Sequence, residues 1–123
     1  MKIEHVAIHY RDLEKARDFF EKYFDAKSGK LYCNKTTGFR SYFLSFSGEA
    51  RLEIMSLPFH DSKEKSGGFH VAFSLGSKEK VDSLSEILRK DGFEILSGPR
   101  TTGDGYYETA FLDLEGNHLE ITV

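Results

Sequence analysis

In two places the chain writes a charged residue between buried-type apolar ones: RLEI from Arg51 and HLEI from His118. This two-residue period is that of a strand with one buried face. Extended over the chain, it predicts strands at 2–9, 29–34, 40–46, 51–57, 69–75, 93–96, 106–112 and 118–123. Gly38 and Gly48 separate three of them. Two stretches follow the helical period instead. The first starts after Asp12, a residue that caps free amide groups, and carries Leu13, Ala16, Phe20 and Tyr23, widened by Phe19 and Phe24. The second starts after Ser77, carries Val81, Leu84 and Leu88, and stops at Gly92.

These elements come in two similar sets. HVAI at His5 returns as HVAF at His70, Phe43-Leu44 as Phe111-Leu112, and Glu53 as Glu120, at nearly constant offsets of 65, 68 and 67 residues. Each set reads β-α-β-β-β, and internal repetition decides architecture before any single residue does. The prediction is an α+β protein of one domain, 1–123, with a first module over about 1–58, a Gly- and charge-rich linker over about 59–68 (HDSKEKSGG) and a second module over about 69–123. Neither module can bury its sheet face alone, so the two are expected to pair.

Alternation also sorts the chemistry. Leu52 and Ile54 share one face and Glu53 takes the other; Leu119, Ile121 and Val123 oppose Glu120 in the same way. His5 opposes Val6 and Ile8, and His70 opposes Phe69, Val71 and Phe73. The apolar face suits packing under a helix. The other face then carries His5, Glu53, His70 and Glu120, and is expected to line a groove. A buried charge there is costly unless paired, and a divalent cation removes the cost. Two nitrogen and two oxygen donors suit nickel, cobalt, zinc, manganese or iron. His9 and His118 fall on this face as well. With His60 they lack a repeat partner of the same type, and surface or supporting roles are expected of them.

Composition narrows the partners. Of 123 residues, 39% are hydrophobic and the formal net charge is −3, without a basic cluster. The balance fits a globular protein and excludes the positive stripe that nucleic acid requires. No apolar run is long enough to span a membrane. Glu4 and His5 interrupt the amino end where a signal peptide is continuously apolar. A single cysteine, Cys33, has no internal partner, so a reducing cytoplasm is the expected compartment.

Taken in order, IEHVAIHYRDLEKARDFF, RLEIMSLPF, GGFHVAFSL and GPRTTGDGYYETAFLDLEGNHLEI resemble the vicinal oxygen chelate superfamily, the glyoxalase and bleomycin-resistance fold, along the full chain. The resemblance implies paired βαβββ modules in a cupped mixed sheet with helices on the convex side, and His5, Glu53, His70 and Glu120 as ligands of one divalent metal. A complete His-Glu-His-Glu set is similar to glyoxalase I, a lactoylglutathione lyase, and implies proton transfer on a small carbonyl or thiol-conjugated substrate, with glutathione or another thiol as co-substrate. The metal would act as a Lewis acid, and Glu120 first, Glu53 second, would move the carbon-bound proton. Departures are visible: the family's Asp-Pro-Asp-Gly turn is Asp113-Leu114-Glu115-Gly116 here, and its full glutathione-contacting pattern is missing. An epimerase, a thiol transferase and a non-catalytic sequestering protein share the fold.

For substrate binding, Arg51 is preferred among Arg11, Arg40, Arg51 and Arg100, because it shares a strand face with Glu53. Tyr107 is assigned to the same role. With Tyr106 and the Gly103-Asp104-Gly105 turn it forms either a lip over the groove or a plain hairpin. Phe39, Tyr42 and Phe59 are candidates to shape the pocket. A homodimer is expected, as for other short members of this fold.

Overall fold

A computed structural model describes residues 3–58 and 69–123. The chain divides into two compact units, Met1–Glu64 and Lys65–Val123. The first contains β1 (His5–His9), α1 (Leu13–Phe24), β2 (Lys27–Ser28), β3 (Tyr32–Cys33), β4 (Arg40–Ser45) and β5 (Arg51–Ser56). The second contains β6 (Val71–Ser74), α2 (Lys78–Lys90), β7 (Ile95–Thr101), β8 (Tyr107–Leu112) and β9 (His118–Thr122). The architecture is α+β, with one mixed sheet and one helix in each unit. His60, Phe59 and the expected linker lie outside the described residues.

The sheets repeat one topology. In the first the order is β1-β5-β4-β2, with β3 also on β4; in the second it is β6-β9-β8-β7. Each LEI strand therefore runs parallel to the strand that follows the HVA histidine, β5 beside β1 and β9 beside β6, and antiparallel to its hairpin partner. Register fixes the faces. Leu52 and Ile54 are 2% and 0% exposed, and Leu119 and Ile121 both 0%. Each of these side chains contributes about 1.5–3 kcal/mol by leaving water. A one-residue slip would turn them all outward and put the glutamates in the core.

The helices cover those faces. The Asp12 carboxylate accepts from the Lys15 amide at 3.1 Å and the Ser77 hydroxyl from the Lys80 amide at 3.3 Å, as the capping positions predict. From α1, Leu13, Ala16, Phe19, Phe20 and Phe24 are buried, and their rings meet at tilted or edge-on angles. Tyr23, expected in the stripe, is only half-buried. From α2, Val81, Ser85 and Leu88 are buried, while Leu84 is half-buried. Ser85 was not foreseen in the core. Its hydroxyl is 2.6 Å from the Val81 carbonyl and 2.8 Å from Thr109 Oγ1, so the burial of two hydroxyls is offset by mutual bonding and ties α2 to β8.

Two strands differ from expectation. The strand expected over 29–34 is confined to Tyr32–Cys33, and another short one, Lys27–Ser28, precedes it; both pair with β4, and the Gly29 amide still bonds the Phe43 carbonyl at 2.9 Å. The strand over 93–96 instead starts at Ile95 and continues to Thr101, with register irregularities between Ile95 and Ser97 and between Ser97 and Arg100. Gly98 permits this course. Its φ is +93°, and a Cβ there would meet the Glu108 carbonyl and lie 2.9 Å from Thr109 Cα.

Gly98→Ala is therefore expected to cost more than about 1 kcal/mol, from the positive φ and the backbone collision together. Gly48→Ala, with nothing within 4 Å of the added carbon, should stay within about 0.5 kcal/mol of the parent. Urea midpoints of the two variants check this, and equal midpoints would show that β7 yields at no cost.

Candidate metal and proton-transfer site

In the first unit His5 lies on the exposed side of β1, opposite Ile8, and Glu53 on the side of β5 opposite Leu52 and Ile54. Their pairing places His5 Nε2 3.8 Å from Glu53 Oε2. Glu53 is held in a sheltered place, its side chain 14% exposed against 40% for His5. The other imidazole nitrogen, Nδ1, bonds to the Glu4 carboxylate. A carboxylate only accepts, so Nδ1 is the donor in this bond, and the other ring nitrogen, Nε2, faces Glu53; such a carboxylate–histidine contact orients metal-binding imidazoles. Glu4 also takes the Arg51 guanidinium, with the Arg51 Nε at 2.8 Å. These bonds, His5 first and Arg51 second, hold the Glu4 carboxyl below its usual range. Phe43, on the same face as Glu53 in the β4–β5 register, meets the His5 ring edge-on at 5.2 Å and lies 4.3 Å beneath the Arg51 guanidinium.

The second unit repeats the pair more tightly. His70 Nε2 is 3.4 Å from Glu120 Oε2, and Glu120 is again sheltered at 15% exposure. Here a second imidazole joins: His118 Nε2 is 3.3 Å from Glu120 Oε1, and the His70 and His118 rings lie 5.3 Å apart.

A second carboxylate shares this face and was missed in the sequence. Glu108 pairs with Thr122 across β8–β9, while Ala110 pairs with Glu120; Glu108 is thus one step diagonal from Glu120 on the same side. Burial, and next the Glu120 charge, push the Glu108 carboxyl above its usual range, opposed by Arg100 at 3.8 Å. The signal was present in the alternation of β8, where Thr109 and Phe111 face α2 and Glu108 and Ala110 do not.

The remaining candidates are distributed differently. Arg51 is engaged by Glu4 within its own unit. Tyr107 is on the helix side of the second sheet, in phase with buried Thr109; its hydroxyl donates to Asp82 of α2 at 2.6 Å, and Lys78 lies over its ring at 5.0 Å. It is not brought to the face of Glu120. Arg40 pairs with Glu14 of α1. Tyr42 is buried at 7% exposure, with Arg17 at 3.3 Å from its hydroxyl. His9 Nε2 receives the Leu57 amide at 3.3 Å, a supporting role. The turn before Tyr106 is closed by Thr102, whose hydroxyl bonds Asp104 and the Tyr106 backbone.

Among the described residues, no three His, Cys, Asp or Glu side chains are gathered as a complete metal-holding group. The donor chemistry nonetheless fits a cation. In the first unit the imidazole Nε2 faces a sheltered carboxylate, and the ring is oriented by Glu4 at its other nitrogen. Imidazole nitrogen with carboxylate oxygen is a donor set for divalent transition ions.

The chain matches the family model described as the Glyoxalase/Bleomycin resistance protein/Dioxygenase superfamily over residues 2–121. No curated protein matches it. Among solved structures it is similar to a glyoxylase/bleomycin resistance protein/dioxygenase domain from Frankia sp. EAN1pec, with a TM-score of 0.83 and 20% identity over 100% of this chain and 97% of that one. It is similar to the trypanothione-dependent glyoxalase I of Leishmania major, with a TM-score of 0.80 and 18% identity over 99% and 86% of the two chains. It is also similar to a variant of the fosfomycin resistance protein FosX of Listeria monocytogenes complexed with Mn(II), with a TM-score of 0.77 and 23% identity over 99% and 91%.

The raised Glu108 carboxyl has a consequence for stability. Its charged form is disfavoured in the fold, so the penalty applies above the raised value and fades as pH falls toward the ordinary carboxylate range. In metal-free protein Glu108→Gln should melt above the parent at pH about 7, and the gap should close toward pH about 4. Thermal melts at the two pH values test this; a Gln variant no more stable at neutral pH would refute the penalty.

Proposed function

The chain belongs to the glyoxalase/bleomycin resistance protein/dioxygenase superfamily, and on that premise we propose that it is a metal-dependent lyase or isomerase that moves a proton on a small carbonyl or thiol-conjugated substrate. The observation that carries this reading is the repeated pairing of a histidine nitrogen with a sheltered glutamate oxygen, at 3.8 Å in one unit and 3.4 Å in the other. His5, Glu53, His70 and Glu120 are the proposed ligands of one divalent ion. That ion, when bound, would supply Lewis acidity toward a substrate oxygen.

The chain's own residues do the rest. Glu4 holds His5 in the tautomer that presents Nε2. Leu52, Ile54, Leu119 and Ile121, packed under the helices, fix the backbone that carries each carboxylate. Glu120 accepts the carbon-bound proton and returns it to the neighbouring carbon, with Glu53 as the second candidate. Glu120 is favoured because three ionisable side chains, His70, His118 and Glu108, share its face. Glutathione or a similar thiol is the proposed partner of the carbonyl compound, and a homodimer the proposed assembly.

A second reading, sequestration of a small molecule without chemistry, is favoured by the incomplete gathering of three donors in the described residues. Metal binding separates the two. Calorimetry of stripped protein with Ni(II), Co(II) and Zn(II) should give about one ion per chain, and Glu120→Ala should weaken binding by at least ~10-fold. Hemithioacetal isomerisation, followed by absorbance, should fall by at least ~100-fold in the same variant. Parent protein that binds none of the three ions would leave sequestration as the account. Light scattering at micromolar concentration tests the dimer, and a monomer would remove it.

A further inference from the structure

The two units share a topology but not a donor set. Two residues before each glutamate the chain has Arg51 in the first unit and His118 in the second. Arg51 is satisfied by Glu4 and stacked over Phe43. His118 lies beside the His70 ring instead, at 5.3 Å. Its Nε2 is shielded from solvent and makes no hydrogen bond, yet lies 3.3 Å from Glu120 Oε1. A buried nitrogen left without a bond costs about 1–3 kcal/mol, and this one is aimed at the carboxylate that His70 approaches from its other oxygen.

Resting on the metal reading above, we infer that His118 is a third metal donor, so that His70, His118 and Glu120 form a His-His-Glu half-site within the second unit. Donors bound at about 2.1 Å to one ion at tetrahedral angles lie roughly 3.4 Å apart. Each imidazole stands at about that distance from its own oxygen of Glu120, His70 Nε2 3.4 Å from Oε2 and His118 Nε2 3.3 Å from Oε1. The three are not yet gathered around one point. His70 and His118 are 49% and 36% exposed in their side chains, so both rings have room to turn, while the sheltered Glu120 stays fixed by Leu119 and Ile121. The corresponding place in the first unit holds Arg51, which offers no metal donor.

The test titrates Co(II) into stripped full-length protein, reading affinity by calorimetry and ligand geometry by the visible absorption of the ion. Three proteins are compared: the parent, His118→Ala and His118→Gln, each checked for an unchanged far-ultraviolet spectrum. Loss of at least ~10-fold in affinity in both variants, with a shifted Co(II) spectrum, is expected. Parent-like affinity and spectrum in both variants would overturn the inference and leave the metal reading standing. A parent-like Gln variant beside a weakened Ala variant would overturn it too, because it assigns His118 a hydrogen-bonding role toward Glu120. A parent that binds no Co(II) would overturn this inference and the metal reading together.

Discussion

Everything at the candidate site depends on the register of two short strands. Leu52 and Ile54 in one unit, and Leu119 and Ile121 in the other, are almost wholly removed from water, and each is held there by a helix whose own buried face is continuous. Because side chains alternate, burying those four residues forces Glu53 and Glu120 onto the opposite face. The cost of a sheltered carboxylate is thus imposed by the core and offset by it. No contact made by the glutamates themselves is needed to place them.

On that common frame the units diverge in electrostatics. The first arranges a relay, Arg51 to Glu4 to His5, that leaves one imidazole nitrogen facing one carboxylate. The second places two imidazoles and a further carboxylate around Glu120. Duplicated modules that keep a backbone and change its polar residues can divide a function, one copy supplying geometry and the other charge. Here the buried frame is the conserved quantity between copies, and the residues two positions before each glutamate carry the difference.

Much of this was legible in the sequence, for reasons that are local. The caps at Asp12 and Ser77, the helix stop at Gly92 and the alternation around each LEI need only neighbouring residues, and the repeat doubled the signal. The membership of the superfamily also followed from motifs in order. What escaped depended on contacts distant in sequence. Ser85 looks like a solvent residue until Thr109 appears beside it. Gly98 looks like a strand terminator until β8 passes close enough to require the missing Cβ. Tyr107 was placed by its neighbourhood in the chain, whereas its parity with Thr109 turns it toward Asp82. Glu108 was open to the same parity argument that found Glu120, but no repeat partner drew attention to it.

The crowding around Glu120 then constrains what the site can be. Two imidazoles and a second carboxylate share its face, and the exposed Arg100, 3.8 Å from Glu108, only partly offsets the repulsion between Glu108 and Glu120. A cation that retains its charge at every physiological pH answers the same electrostatic need, and it would pull the Glu108 carboxyl back toward its ordinary range. In the proposed function Glu120 would be the base on this face. The features that make the metal-free face electrostatically unfavourable are the ones that would make it competent for proton transfer once charge is supplied.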